Sequence, residues 1–268
     1  MSMFVRFVKA EANGNDFLIV DASAVAPASR ADFTRRICDR HRGVGADGVE
    51  FVKPRGSGFE LALHNNDGTV AEISGNGTRC VVAFYARHGF RQGELWTGAG
   101  QRQATVLDGA GEYWTVQIGL GVPRLEAVTP IEVLGRTVNV CILSVGNPQC
   151  VVLTPEFPPD WIQLGAALEA HPRFPARTNV EFVRVLGRHR IEIRIFERGV
   201  GPTSSSGTGS AASAVAAITE HLCESPVEVI TPGGSQKVIW TGQLEGAAAL
   251  YLIGTATVVA EGVFFYPS

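Results

Sequence analysis

Two short segments of this chain have the residue types to hold a small anion. Ser74-Gly75-Asn76-Gly77 and Ser206-Gly207-Thr208-Gly209 share the pattern Ser-Gly-x-Gly, and each leads into an apolar run of helical character. A helix start leaves backbone N–H groups unpaired and carries partial positive charge. Glycines beside it let a ligand approach the backbone closely. Such a start is a ready site for a carboxylate or a phosphate, and two of them could converge on one ligand. Taken singly, each serine also reads as an ordinary helix cap contributing about 1 kcal/mol. The pairing favours a ligand. The two segments lie 132 residues apart, and Gly14-Asn15 recurs as Gly146-Asn147 at the same offset.

Other chemistry-bearing residues point less sharply. The six histidines (His41, His64, His88, His171, His189, His221) have no paired metal-ligand spacing. The five cysteines (Cys38, Cys80, Cys141, Cys150, Cys223) are an odd count without a CxxC pair, which reads as reduced thiols in a cytoplasmic protein. Gly43-x-Gly45-x-x-Gly48 matches a dinucleotide fingerprint in letters only, since no strand precedes it and no helix follows. A net charge of −3 gives no reason to expect nucleic acid or membrane partners. The charge-free stretches at 203–219 and 246–260 are respectively rich in Ser, Thr and Gly and too short to span a bilayer. A soluble globular chain is expected, with 45% apolar and 18% charged residues.

The elements that must position the two segments come from an internal repeat. Residues 59–79 and 191–211 each run from an alternating strand through a glycine-rich turn to Ser-Gly-x-Gly, and VEFV at 49–52 returns at 180–183. Further strands are expected at 1–8, 104–107, 114–118, 138–143, 227–230 and 248–253, and helices at 29–39 and 161–170 as well as after each Ser-Gly-x-Gly. A linker is expected near 119–128, and the tail 261–268, strand-like, could return to either half. The halves are therefore expected at 1–119, with strand 259–268 added, and at 120–258.

At these residues the chain resembles the diaminopimelate epimerase family. The resemblance rests on Gly14-Asn15-Asp16-Phe17, on Arg40 to Gly48, on Asn65 to Gly68 and on Ser74 to Cys80. It continues through Gly146 to Val152, Glu197 to Thr203, Ser206 to Gly209 and Pro232 to Gly234. It implies an α/β (α+β) fold of two pseudo-symmetric domains, each a mixed sheet wrapped around a central helix, with a ligand cleft between them. It also implies a cofactor-independent isomerase, needing neither pyridoxal phosphate nor metal, that converts LL- to meso-diaminopimelate in lysine biosynthesis. One thiolate would remove the α-proton and a thiol on the opposite face would return one. The α-carboxylate would rest on the amides of Gly75, Asn76, Gly207 and Thr208, which stabilise the developing carbanion. The rest of the amino acid would be held by Asn15, Asn65, Asn147, Asn179, Glu197 and Arg198, the arginine clamping a distal carboxylate. A homodimer is a further expectation from the resemblance. Singly, these residues have plainer readings: a loop asparagine satisfies its own turn, and Glu197-Arg198 is a surface charge pair of little worth.

The chain departs from the family where the reaction is most demanding. Ser74 and Ser206 stand at the two catalytic cysteine positions, Gln149 replaces a histidine, and Pro202 replaces a glutamate. A helix start can lower a cysteine pKa from about 8.5 to between roughly 3.5 and 7.5, whereas a dipole contributing at most about 2 kcal/mol cannot make serine a comparable base. Three readings stay open: an epimerase altered at its cysteines, a relative performing other α-carbon isomerisation or dehydration with a different base (Glu72, His64 or His41), or a non-catalytic amino-acid binder. Strand alternation should turn His64 away from Asn65.

Overall fold

The structure is a computed structural model that describes residues 2–240, 242 and 250–267. The chain divides into two compact units, residues 1–118 with 254–268, and residues 119–253.

In the first unit, β1 (Ser2–Ala12) and β2 (Asn15–Asp21) form a hairpin, and α1 (Arg30–Cys38) leads to β3 (Gly48–Arg55). Next come β4 (Gly58–Asn65), β5 (Val70–Ala71), α2 (Gly75–Ala86), β6 (Gln92–Thr97), β7 (Gly100–Ala110) and β8 (Tyr113–Gly121). The second unit contains β9 (Arg124–Val133), β10 (Arg136–Ser144), β11 (Pro148–Leu153), α3 (Trp161–Glu169), β12 (Asn179–Gly187) and β13 (Arg190–Glu197). It continues through β14 (Gly201–Thr203), α4 (Gly207–Thr219), β15 (Val227–Thr231) and β16 (Gly234–Ile239) to β17 (Leu250–Pro267).

Both units repeat one connectivity. The pairs β2–β3 and β11–β12 are parallel, β3–β4 and β12–β13 antiparallel, and β4–β6 and β13–β15 parallel again. The short strands β5 and β14 fold back on β4 and β13 just before each Ser-Gly-x-Gly. In the first unit β17 pairs with β1 on one side and with β8 on the other, so the strand order returns on itself around α2.

Burial explains the two kinds of helix. From Gly75 to Ala83 every residue of α2 is buried, as is every residue of α4 from Gly207 to Ala217. A helix apolar on all sides belongs inside, and the alanines at 211, 212, 214, 216 and 217 let strands approach α4 closely. By contrast α1 buries only Phe33, Thr34, Ile37 and Cys38 and keeps Arg35 and Arg36 exposed. The alternation of β3 follows from this layering: Val49 and Phe51 pack toward Phe33 and Ile37 of α1. Glu50 therefore points to the face where α2 lies. In β12, Val180 and Phe182 pack toward Leu164 and Leu168 of α3, and Glu181 takes the inner face.

Most expected elements are present. The expected strand 248–253 lies outside the described residues at 248 and 249, and begins at Leu250. The boundary between the units at 118/119 falls at the start of the expected linker 119–128, but that stretch is mostly strand: β8 runs to Gly121 and β9 starts at Arg124, so Val122 and Pro123 alone lie between strands. Glycine and proline there mark a strand junction, not a flexible tether. The tail pairs along β1, from Ser2 opposite Pro267 to Glu11 opposite Thr257.

Candidate functional site: two capped helix starts

Each Ser-Gly-x-Gly segment is a helix start with its serine at the cap. Ser74 is extended (φ −120°, ψ 122°) and its hydroxyl oxygen accepts from Gly77 N–H at 3.1 Å. Ser206 is likewise extended (φ −143°, ψ 127°) and accepts from Gly209 N–H at 3.1 Å. The plainer reading of the two serines thus holds locally, and each oxygen already takes a backbone proton. Gly75, Asn76, Gly207 and Thr208 are the first two helical residues in each case and all are buried.

The second glycine of each segment has a clear steric cause. A Cβ at Gly77 would meet Glu50 Oε1 at 2.6 Å, and one at Gly209 would meet Glu181 Oε1 at 2.8 Å. Two glutamates from the VEFV strands therefore back onto the two helix starts. Glu50 and Glu181 are almost fully buried, at 1% and 0% exposure. Burial pushes the Glu50 carboxyl up to about 8. Burial, with the like charge of Glu197 second, raises Glu181 well above the ordinary range. Sequence reasoning missed both as site residues. Their signal was the duplicated VEFV, which has a carboxylate at the inward register of a strand.

The asparagines hold each start in place. In the first unit Asn76 Nδ2 donates to Asn15 Oδ1 at 3.3 Å, and Asn15 Nδ2 donates to Asp47 Oδ2. Arg79, wholly buried on α2, donates to Asn76 Oδ1 at 2.7 Å and to Asn13 Oδ1 at 2.9 Å. Desolvation lowers its guanidinium pKa to about 10, so it remains a cation beneath the helix start at neutral pH. β17 crosses Arg79 at Gly254, where a Cβ would lie 2.7 Å from Nη1. In the second unit Asn147 Nδ2 donates to Thr208 Oγ1 at 3.3 Å, the counterpart of the Asn15–Asn76 contact.

The remaining expected residues take more local roles. Asn65 Nδ2 donates to Thr69 Oγ1 at 3.0 Å in its own turn. Asn179 Nδ2 donates to Pro148 O at 3.1 Å and its Oδ1 accepts from Arg198 N–H at 2.9 Å, so it fixes the backbone that carries Arg198. Glu197 and Arg198 close β13 and are partly buried. Gly14 and Gly146, which precede the two asparagines, have φ of 77° and 106°, a backbone shape that favours glycine.

Of the alternative bases, His64 is a core residue. It is 8% exposed with its ring edge-on to Phe51 at 5.3 Å, and burial lowers its pKa. His41 is exposed, its N–H donating to Asp39 Oδ1. Glu72 is exposed too, although it lines the same crevice as Glu50 and Thr78. Among the described residues no cluster of His, Cys, Asp and Glu could hold a metal ion, and no helix is long and apolar enough to cross a membrane. All five cysteines are buried and unpaired.

The diaminopimelate epimerase family model matches residues 7–125 and 141–259 of the chain. The chain is 38% identical to the diaminopimelate epimerase of Desulforudis audaxviator, over 96% of this chain and 98% of that protein. It is 36% identical to the diaminopimelate epimerase of Aromatoleum aromaticum, over 97% and 98% respectively. Among solved structures, a hydroxyproline epimerase from Agrobacterium vitis superposes with a TM-score of 0.76 at 15% identity, covering 98% of this chain and 91% of that one. A methylitaconate-delta-isomerase superposes at 0.67 with 18% identity, covering 99% and 96%. These structural likenesses speak to the fold. Matched by the family model in both halves and by relatives over nearly its full length, the chain belongs to the diaminopimelate epimerase family.

Proposed function

We propose that this isomerase binds diaminopimelate and interconverts the configuration at its α-carbon, far more slowly than a thiol pair would. The observation that carries the reading is the duplicated helix start, with buried amides at Gly75, Asn76, Gly207 and Thr208 and a cap residue at each proton-transfer position. The amides of each start suit an α-carboxylate and stabilise a carbanion as the α-proton leaves. Asn15, Asn65 and Asn147 orient the amino acid. Asn179 holds Arg198, whose guanidinium takes the distal carboxylate, while Glu197 takes the distal ammonium. Ser74 and Ser206 are the acid and base of the two faces, and their weak acidity limits the rate. Replacement of both thiols, together with Gln149 and Pro202, favours as second reading a relative that isomerises or dehydrates another carboxylic acid.

Calorimetry with meso-diaminopimelate tests the first reading. Measurable affinity is expected, reduced by about tenfold to a hundredfold in Arg198→Ala, which removes a charge-assisted pair. No affinity in the folded protein would overturn it.

We also propose a cytoplasmic homodimer. Five buried, unpaired cysteines suit a reducing compartment. The outer face of β1 and β17 exposes Phe4 (67%) and Phe265 (66%), packed edge to face at 5.3 Å, beside exposed Val263. Such an apolar patch fits a second copy of the chain. Light scattering should give twice 28.5 kDa, falling to the monomer mass in Phe265→Asp; a monomeric parent would contradict the proposal.

A further inference from the structure

Behind the second helix start a short chain of polar groups joins Glu181 to the cap. Gln149 is fully buried between Glu181 and Asn147. Its Nε2 donates to Asn147 Oδ1 at 2.7 Å, and Asn147 Nδ2 donates to Thr208 Oγ1 at 3.3 Å. Thr208 Oγ1 lies 3.4 Å from Ser206 Oγ. In this orientation the Gln149 oxygen faces the Glu181 oxygens, at about 2.8 and 3.2 Å. Two acceptors at that distance repel unless one carries a proton. With the Gln149 oxygen on that side, Glu181 must be neutral and donate to Gln149 Oε1.

An ionised Glu181 requires the opposite arrangement. Turning the Gln149 amide places its nitrogen on the carboxylate and its oxygen toward Asn179 Nδ2 at 3.3 Å and toward Asn147 at 2.7 Å. Asn147 must then turn as well, presenting its nitrogen to Gln149 and its oxygen to the Thr208 hydroxyl. The turned arrangement gives Asn179 Nδ2 an acceptor on Gln149, whereas in the first it faces Gln149 Nε2 at 3.3 Å; the two differ by one proton on Glu181.

We propose that Glu181 is a positioning residue whose protonation state sets the direction of the hydrogen-bond chain Gln149–Asn147–Thr208 and, through it, the donor or acceptor face that Asn147 and Ser206 offer to a bound amino acid. With Glu181 neutral, Thr208 gives its proton toward Ser206, which leaves the serine proton for the ligand. With Glu181 ionised, Thr208 gives its proton to Asn147 and accepts from Ser206, which leaves a serine lone pair for the ligand. The claim about the ligand rests on the functional reading above; the claim about the chain does not.

The groups facing Glu181 are few. Glu197 on β13 raises its pKa, and among the described residues the Cys150 thiol on β11 is its other titratable neighbour. α4 carries no titratable residue, and α3 lies on the opposite face of β12, against Val180 and Phe182. Burial favours the neutral acid, so the arrangement with Gln149 Oε1 on Glu181 belongs to the acid side of the Glu181 titration and the turned arrangement to the alkaline side.

The test is a pH titration of the Gln149 and Asn147 side-chain amides by 15N NMR, between about pH 5 and 10, spanning the carboxylate and thiol ranges. Both amides should shift together at one midpoint in the parent protein. Neither should titrate in Glu181→Gln, whose amide mimics the neutral acid, and in Glu197→Gln the midpoint should move down. In Gln149→Met the Asn147 shift should vanish while Glu181 remains. Affinity for meso-diaminopimelate should change by about tenfold across the same midpoint, a difference of about 1.4 kcal/mol, and stay level in Glu181→Gln. Amides that do not titrate in the parent, or that titrate unchanged in Glu181→Gln, would overturn the proposal. Coupled amide titration without any meso-diaminopimelate affinity would overturn the functional reading alone.

Discussion

Serine at positions 74 and 206 caps its helix well and abstracts protons poorly, and both properties come from the hydroxyl. Its small oxygen sits 3.1 Å from the third backbone N–H of each helix, yet it holds its own proton too tightly to act as a resting base. Replacing either serine by alanine should cost about 1 kcal/mol in stability, read as a lower midpoint in urea unfolding. Glu50 gives a pH-dependent prediction. Its folded pKa of about 8 exceeds the ordinary 4.5, so its contribution is fully present below pH 4.5 and is lost as pH rises toward 8. Glu50 should lower parent stability across that window by up to about 1.4 kcal/mol for each pH unit, and Glu50→Gln should remove that share of the slope while leaving the share of Glu181. Urea unfolding at pH 5, 7 and 8.5 compares the two, and equal slopes would contradict the assignment. The repeated spacing displayed Ser74, Ser206, Asn15 and Asn147 directly, while Asn65, Asn179, Glu197 and Arg198 were legible only through the family resemblance. The sequence hid the carboxylates, because an acidic residue within a strand usually faces water, and only the α1 and α3 layers turn Glu50 and Glu181 inward.

Among the elements, the starts of α2 and α4 depend on close approach by the neighbouring strands. Gly77→Ala would drive a methyl to 2.6 Å from Glu50 Oε1, and Gly209→Ala would place one 2.8 Å from Glu181 Oε1 and 3.2 Å from Ser206 Oγ. Each should destabilise its unit by about 1–3 kcal/mol, the usual range for overpacking, and thermal unfolding would detect it. On the proposed function ligand affinity should fall as well, since the same shift displaces the amides proposed to receive the α-carboxylate. The strands with regular alternation, such as β4 and β13, were legible because one face is apolar. β6, β9 and β16 escaped the sequence reading. β9 does alternate, with Leu125, Ala127, Thr129, Ile131 and Val133 on its less exposed face, but Pro130 within it argues against a strand; β10 pairs along its length from Arg124 to Val133. Tertiary pairing decided those elements, not local preference.

Across the whole molecule, one connectivity used twice explains why the halves could be read from an offset of 132 residues. What the offset could not give is the use made of β17. Its first residues pair with β16, from Lys237 opposite Ile253, and its later residues pair with β1. Deleting residues 254–268 should therefore unfold the first unit, because β1 loses one of its two partners and Arg79 loses the strand above it; a cooperative melt like that of the full chain would contradict this. In the proposed function the amide cradle persists while the proton-transfer atoms have changed. Deuterium incorporation at the α-carbon of meso-diaminopimelate in D2O tests it most directly, comparing the parent with Ser74→Cys/Ser206→Cys. The double variant should exchange at least about a hundredfold faster, the lower range for a well-matched general base. Equal exchange in both proteins, with ligand bound in both, would contradict the claim.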